Sequence, residues 1–429
     1  MLHEAPLSEI ADDLRRGRTD VGTYVETIES RAEEVEPTIE SLVPEEERWE
    51  RLREAAAALD DDETGVSDRP PLYGVPIGVK DIFHVDGLPT RAGSNVPPEA
   101  LDGPEATAVS RLRDAGALVV GKTVTTEFAY LEPGPTRNPH DPDHTPGGSS
   151  SGSAAAVAAG LCPFAFGTQT IGSVIRPASF CGVVGFKPTY ERIPIGGVIP
   201  LSKSVDHVGF FTQDVAGVAL VAPLLYDEWR TLPHSEERPT LGVPEGPYLQ
   251  QATETGLDAF EEQLARLEAA GYEIERVEAF ENVDEINERH GNLVAADAAL
   301  AHDGWYDQYS EKYRSGTADL IEEGRAVSTA EIAEGRRGRD QLRAALEGLM
   351  DEHGIDAWIA PAAPGPAPEG IDSTGDPSMN LPWTHAGLPT ISLPAGKTDD
   401  GLPLGVQCAA AFGADEDLVL WAHELAEAL

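Results

Sequence analysis

The chain has 429 residues, of which 41% are hydrophobic, and its formal charge of −44 comes from 75 acidic and 31 basic side chains. This length allows one large α/β domain or two to three smaller domains. No apolar run approaches the roughly 18 residues of a membrane span, and the acidic excess argues against direct binding to nucleic acid or to an anionic membrane.

Helical spacing of apolar residues predicts two or three helices between residues 7 and 60. The turn-rich stretch at 61–71, "DDETGVSDRPP", predicts a joint, so we divide the chain into an N-terminal helical segment, 1–60, packed on the core, and a main domain, 61–429. Apolar strands such as "YGVPIGVK" and "GALVVGK" then alternate with helices such as "ATAVSRLRDAG", which is typical of the α/β class. We predict a mostly helical region at about 281–352 that covers the substrate.

Four aromatic residues gather in this helical region, and we expect a buried helix face in preference to a substrate wall: Trp305, Tyr306, Tyr309 and Tyr313. The Pro- and Gly-rich stretch "APAAPGPAPEGIDSTGDPS" predicts a long loop between two strands. A strand, "GLPLGVQCAAAF", and a helix from residue 414 end the chain.

The run "GGSSSGS" at residues 147–153 allows three interpretations. Its composition is typical of a flexible linker. It also fits G-x-S-x-G, the nucleophile elbow, with Ser150 as nucleophile, but the Pro-rich "TRNPHDPDHTPGG" before it cannot form the strand that an elbow requires. A phosphate loop would need a Gly-Lys-Ser/Thr ending, which is missing. The third interpretation is part of a catalytic site.

Several linked motifs favour that third interpretation: "GVPIGVKDIF", "GKTVTTEFAY", "NPHDPDHTPGGSSSGSAAAVAAG" and "GTQTIGSVIRPASFCGVVGFKPT". Together they resemble the amidase signature family over residues 70–190, and "GLPTISLPAGKTDDGLPLGVQ" resembles its C-terminal strands. The resemblance implies a large central mixed β-sheet with helices on both faces. It also implies amide hydrolysis by Lys80, Ser149 and Ser173, with a cis peptide between Gly148 and Ser149.

The chemistry of these three residues can be argued from their side chains. A serine hydroxyl attacks an amide carbonyl only when a base removes its proton, and no histidine is placed by the sequence to do so. A lysine serves as the base when burial lowers its pKa, and Lys80 follows the apolar run "VPIGV". We predict a relay in which Ser149 passes the proton of Ser173 to Lys80 and the acyl-enzyme forms on Ser173.

The oxyanion of the tetrahedral intermediate needs donors, and we assign this role to the backbone N–H groups of Thr170, Ile171, Gly172 and Ser173. The sequence departs here from the common family form, Asp-x-Gly-Gly-Ser, because Gln169 and Ile171 replace the aspartate and the first glycine. Since Ile171 does not readily adopt a positive φ, either the turn differs or that glycine is not needed for its φ.

Arg176 follows Ser173 by three residues, which places both near one face of a predicted helix. Two roles remain open for it. A guanidinium beside the site favours an amide substrate that carries a carboxylate. The alternative is a structural salt bridge with an acidic neighbour.

The remaining predictions concern ligands and partners. The cluster His140, Asp141, Asp143 and His144 has metal-ligand side chains, but prolines interrupt it and the resemblance implies no metal, so we predict neither a metal nor a cofactor. We expect a small-molecule amide substrate, no direct nucleic-acid partner and no membrane association. The sequence leaves formation of a homodimer open.

The sequence is compatible with three functions. The main prediction is an amidohydrolase that releases ammonia or an amine. The alternative, within the same family, is the glutaminase (A-type) subunit of a tRNA-dependent Asp/Glu amidotransferase, which hands ammonia to a partner subunit. The third is a non-catalytic binding protein that retains the fold.

The N-terminus, the cysteines and the acidic side chains indicate the compartment and the salt concentration in which the protein acts. The N-terminus lacks the pattern of a signal peptide, and the three cysteines, Cys162, Cys181 and Cys408, fit reduced core residues, so we predict a cytoplasmic protein. The dispersed acidic residues suggest adaptation to high salt, where screening weakens their repulsion. Equal stability in dilute buffer and in molar salt would contradict this hypothesis.

Overall fold

The computed structural model describes residues 2–60, 65–233 and 238–429, with the exception of the Asp60 side chain. The first part of the predicted joint, residues 61–64, lies outside the described residues, and residues 66–68 form one 3₁₀ turn. The division of the chain at residue 60 therefore stays a prediction. No helix among the described residues is long and apolar enough to cross a membrane.

One mixed sheet of ten strands forms the centre of the described structure. The strands are β1 (Pro76–Lys80), β2 (Leu118–Thr123), β3 (Phe164–Gln169), β4 (Val184–Lys187), β5 (His207–Thr212), β6 (Leu241–Glu245), β7 (Ile274–Glu278), β8 (Ala357–Pro361), β9 (Thr390–Lys397) and β10 (Pro403–Ala410). Their order across the sheet is β2-β1-β3-β5-β4-β9-β10-β8-β6-β7. The pairs at both ends of this order are parallel, whereas the pairs from β3 through β8 are antiparallel.

Thirteen α-helices lie within the described residues. They are α1 (Leu7–Arg15), α2 (Val21–Ile39), α3 (Arg48–Asp60), α4 (Thr107–Asp114), α5 (Ser151–Ala158), α6 (Ile175–Cys181), α7 (Val215–Leu225), α8 (Glu254–Ala269), α9 (Val283–Tyr309), α10 (Ser315–Ala326), α11 (Thr329–His353), α12 (Leu381–Ala386) and α13 (Asp415–Ala428). Helices α5 and α6 pack together on the sheet, and a second group, α7, α8 and α13, packs on strands that include β5, β9 and β10. The predicted α/β fold, a mixed sheet between helices, is confirmed.

The local predictions agree well with these elements. Helices α1 to α3 fall within residues 7–60, and α9 to α11 fill the predicted helical region. The aromatic residues of that region belong to, or pack against, the main core, as expected for a buried helix face: Trp305, Tyr306, Tyr309 and Tyr313.

The three cysteines are buried and free, and burial raises the pKa of Cys162 and Cys408 to about 12.

The parallel pairing of β1 with β3 positions the catalytic candidates. Ile77 pairs with Phe164 and Val79 with Phe166, so both strands end at the same edge of the sheet. Lys80 ends β1 there, and the turn after Gln169 leads from β3 into α6. Parallel strands commonly bring functional groups together at their carboxyl ends.

Candidate active site

Lys80 lies in the interior of the protein, and no carboxylate of the described residues forms an ion pair with it. Its side chain is 0% exposed, and Nζ lies 2.8 Å from Ser149 Oγ and 2.8 Å from Thr168 Oγ1. Burial lowers the pKa of Lys80 well below its ordinary value, and the charge of Asp206 opposes this shift only in part. Such an environment favours the uncharged amine, which is the form that accepts a proton.

Ser149 lies at the turn that precedes α5. The peptide bond between Gly148 and Ser149 is cis, and Gly147 has a φ of +80°, a conformation that glycine adopts without a steric penalty. Helix α5 then begins at Ser151, and its residues 151–157 are all buried. Small residues allow this helix to pack closely beneath the site.

Two other serines of the run, Ser150 and Ser153, bind the backbone of β3. Ser150 Oγ donates to the carbonyl of Thr168 at 3.2 Å, and Ser153 Oγ donates to that of Phe166 at 2.7 Å. No strand lies between Leu131 and Ser150, so the elbow that would make Ser150 a nucleophile is not formed. The run is an ordered, buried turn and helix start, and the linker interpretation is also wrong.

Ser173 lies in the turn between β3 and α6, and the carbonyl groups of residues 170–172 in this turn are hydrogen-bonded. The carbonyl of Thr170 lies 3.0 Å from His290 Nε2, that of Ile171 accepts from Thr384 Oγ1 at 2.7 Å, and that of Gly172 accepts from the N–H of Arg176. In the described part of the chain, no hydrogen bond uses the N–H groups of residues 171–173. Buried N–H groups are rarely left unpaired without a reason, and an incoming oxyanion would supply one.

Gln169 explains the first departure from the common family form. Its Oε1 accepts from the N–H groups of Val174 and Ile175, at 2.8 and 2.9 Å, and its Nε2 donates to Thr384 Oγ1 at 2.9 Å. The glutamine therefore fixes the start of α6 and ties the turn to α12. A carboxylate would lack the donor for Thr384.

Ile171 and Gly172 explain the second departure. Neither residue has a positive φ, so an isoleucine fits the turn without backbone strain. Gly172 is required by space, since a Cβ there would lie 2.4 Å from Asn380 Oδ1 and 3.0 Å from Pro377 Cβ. Both alternatives for position 171, a different turn or a glycine that is not needed for its φ, are compatible with this geometry.

Arg176 is buried on α6, next to the cis peptide. Its Nη2 donates to the carbonyl of Gly148 at 2.7 Å and to Thr374 Oγ1 at 3.1 Å. No carboxylate among the described residues forms an ion pair with it, so the salt-bridge alternative is not observed. Burial lowers its pKa to about 10, and its Nε and Nη1 have no acceptor within the described structure.

The long loop between β8 and α12 closes over this region. The side chain of Thr374 packs near Gly148 as well as accepting from Arg176, and Asn380 packs against Gly172. The amide nitrogen of Asn380 donates to the carbonyl of Ala362 at 2.8 Å, which fixes its orientation. Loop residues therefore contribute to the walls of the site.

The acidic and histidine cluster near the serine run does not form a ligand set. His140 Nε2 lies 2.9 Å from the carbonyl of Cys181, and Asp141 contacts the N–H of Asp143 and the ring of His144. No group of three or more His, Cys, Asp or Glu side chains suited to a metal occurs in the described ranges.

Sequence reasoning missed Thr168 and His290. Thr168 could have been found, because β1 and β3 are neighbouring parallel strands and a hydroxyl one residue before the end of β3 lies near Lys80. His290 had no such signal. It lies on α9, far along the chain, and only the tertiary structure brings it to Thr170.

Comparison with known proteins defines the class to which this site belongs. The family model for Amidase matches residues 23–419. The chain is 32% identical to the A-type subunit of the glutamyl-tRNA(Gln) amidotransferase from Prochlorococcus marinus, over 94% of this chain and 93% of that protein. The chain therefore belongs to the amidase family, and it is a hydrolase that acts on amide bonds.

Solved structures agree with this assignment. A crystal structure of an amidase superposes with a TM-score of 0.88 and 32% identity, covering 99% of this chain and 100% of that one. Native peptide amidase from Stenotrophomonas maltophilia superposes with a TM-score of 0.81 and 25% identity, covering 99% and 96%.

Proposed function

We propose that Lys80, Ser149 and Ser173 hydrolyse a carboxylic amide through an acyl-enzyme on Ser173. The observation that carries this proposal is the buried Lys80 amine, 2.8 Å from Ser149 Oγ and without an ion-pair partner among the described residues. An amine in this setting acts as a base, and a hydroxyl beside it conducts the proton.

In this mechanism, protons move between Ser173, Ser149 and Lys80 both when Ser173 attacks the amide and when the C–N bond breaks. Ser149 gives its proton to Lys80 and takes the proton of Ser173, while Ser173 Oγ bonds to the amide carbon and the carbonyl π electrons move to oxygen. N–H groups of residues 170–173 stabilise that oxyanion. As the C–N bond breaks, the proton returns through Ser149 to the departing nitrogen, and water then hydrolyses the ester by the same relay.

Two alanine variants test these roles. Ser173→Ala and Lys80→Ala should each lower kcat/KM by about 10³-fold or more, since removing a member of a catalytic triad typically removes most of the rate enhancement. Lys203→Ala, at an exposed lysine, is the matched control and should retain activity. Rates near wild type in either of the first two variants would refute the assignment.

We further propose that Arg176 favours substrates that carry a carboxylate. Its Nε and Nη1 lack acceptors in the described structure, and a buried guanidinium with unused donors attracts an anionic group. Arg176→Ala should lower kcat/KM for a carboxy-amide more than for a neutral amide of the same size. Equal losses on both substrates would assign Arg176 a structural role only.

A second candidate is the glutaminase subunit of a tRNA-dependent amidotransferase, acting in the cytoplasm. The curated relatives favour it over a free-standing amidase, because eight of them, 28–32% identical over 93–100% of this chain, are all A subunits of a glutamyl-tRNA(Gln) amidotransferase. The net charge of −44 leaves tRNA binding to a partner subunit. Glutamine is a carboxylate-bearing primary amide, so it satisfies the same chemistry.

Ammonia detection with purified protein in high salt distinguishes the two candidates. A free-standing amidase should hydrolyse members of a panel of primary, aryl and carboxy-amides without a partner. The amidotransferase component should co-purify with a second subunit, on which its glutaminase activity should depend. Turnover of several amides but not of glutamine, with no partner, would exclude the second candidate.

A further inference from the structure

The helical region contributes one buried side chain to the turn that carries Ser173. His290, on α9, is 0% exposed, and its Nε2 lies 3.0 Å from the carbonyl oxygen of Thr170. Its Nδ1 lies 3.2 Å from Nδ1 of His385 on α12. The two rings therefore form a short chain of hydrogen bonds that ends at the turn.

The direction of these hydrogen bonds follows from the acceptor at their end. A carbonyl only accepts, so His290 Nε2 carries a hydrogen and donates to Thr170. Burial lowers the pKa of His290 to about 4 and that of His385 to about 2, which makes both rings neutral near neutral pH. His290 Nδ1 is then an acceptor, and His385 Nδ1 is the donor to it.

We propose that His290 is a positioning residue for the oxyanion site, acting through the Thr170–Ile171 peptide unit. A donor at the carbonyl of Thr170 polarises this peptide, which makes the N–H of Ile171 a stronger donor to the oxyanion. Hydrogen bonds in a chain strengthen one another by about 10–30% each. The inference rests on the proposed function, in which the turn at 170–173 binds that oxyanion.

Other contacts show that the orientation of this peptide is fixed from several sides. The Thr170 hydroxyl donates to Asp206 Oδ1 at 2.6 Å, and the Ile171 carbonyl accepts from Thr384 Oγ1. Of these contacts, only the one with His290 reaches the carbonyl of the peptide whose N–H is the proposed donor. Its loss should therefore weaken transition-state binding more than substrate binding.

The test compares H290Q with H290N. The amide nitrogen of glutamine reaches the position of Nε2, so H290Q keeps a donor to Thr170, whereas the shorter asparagine does not. Removing a whole oxyanion donor costs about 10²–10³-fold, so weakening one by about 10–30% in H290N should lower kcat by about 2–8-fold with KM nearly unchanged, and H290Q should restore most of kcat. The matched control is H302N, because His302 lies on the same helix, is equally buried and has its Nε2 3.2 Å from the carbonyl of Pro200.

A spectroscopic readout separates positioning from a general loss of structure. An acyl-enzyme formed from a slowly deacylating ester with a ¹³C-labelled carbonyl should show a higher carbonyl stretching frequency in H290N than in wild type, H290Q or H302N. If H290N does not fold, H385Q, which removes only the donor to His290, should show a smaller shift in the same direction.

The outcomes distinguish the two proposals. Equal kcat in H290N and H290Q, or an unshifted carbonyl frequency, would overturn the role of His290. Retained activity in Ser173→Ala would instead overturn the proposed function.

Discussion

The segment at residues 147–187 and the helical region at 283–353 meet at the turn that carries Ser173, but they differ sharply in charge. The first contains only two charged residues, Arg176 and Lys187, and both are buried. The second contains sixteen acidic and eight basic residues, most of them exposed. Carboxylates near the Lys80 amine would favour its charged form, so the segment that packs around this amine contains none. The helical region covers the site, and only the side that faces inward is constrained in this way.

The pH dependence of catalysis tests the buried side of this comparison and has the largest expected effect. Because burial holds the pKa of Lys80 well below its ordinary value, kcat/KM should rise as pH passes through that pKa and then level off. Below it, activity should fall about tenfold per pH unit, since the protonated amine accepts nothing. Rate measurements across pH with a neutral amide provide the profile.

An acid limb positioned at the pKa of an exposed lysine, about 10.4, would contradict this prediction. The control Lys203→Ala should leave the profile unchanged. Stability should respond to the same group: the unfolded chain binds the Lys80 proton more tightly than the folded chain does, so this contribution to stability declines as pH falls below the ordinary lysine pKa.

The substitution Thr168→Val also tests the buried side of this comparison, and its expected effect on kcat/KM is smaller. Thr168 Oγ1 accepts from Lys80 Nζ at 2.8 Å, which orients the lone pair of the amine toward Ser149. Valine has the same shape without the acceptor, so kcat/KM should fall by about 10–100-fold, in the range of a misplaced general base. Thr212→Val is the matched control, because Thr212 is also buried on a strand and its hydroxyl donates to the carbonyl of Asp214. Equal rates in the two variants would contradict the role of Thr168.

The candidate catalytic residues could be predicted from the sequence, whereas the contacts made by the helical region could not, and the reason is physical. Ser149 and Ser173 stand in motifs whose glycines, Gly147, Gly152 and Gly172, have no room for a Cβ. Lys80 is marked instead by the apolar run of β1 that it ends. Lys80 Nζ lies 2.8 Å from Ser149 Oγ, and the catalytic roles of the three residues stay a prediction. The mixed sheet was predicted through the resemblance to a family, since alternation of strands and helices indicates only the α/β class.

The helical region shows what periodicity does not reveal. Its apolar spacing predicted helices, and α9 to α11 are present. Periodicity marks which side of a helix faces inward but not which partner an inward residue meets. His290 and His385 are 95 residues apart in sequence, and only the packing of α9 against α12 brings their rings together.

Alanine substitution of one glycine in each region compares the two directly and has the smallest expected effects. A Cβ on Gly152 would lie 2.2 Å from the carbonyl oxygen of Ser41 and 2.3 Å from the backbone nitrogen of Val124, so Gly152→Ala should destabilise the protein by about 1–3 kcal/mol or more. Gly304 on α9 has no atom within 4 Å of such a Cβ, so Gly304→Ala should stabilise the protein by about 0.5–1 kcal/mol. Urea unfolding at fixed salt measures both. If both variants changed the free energy of unfolding in the same direction, the two regions would tolerate an added methyl group alike. The contrast between a closely packed segment at 147–187 and a loosely packed helical region would then be wrong.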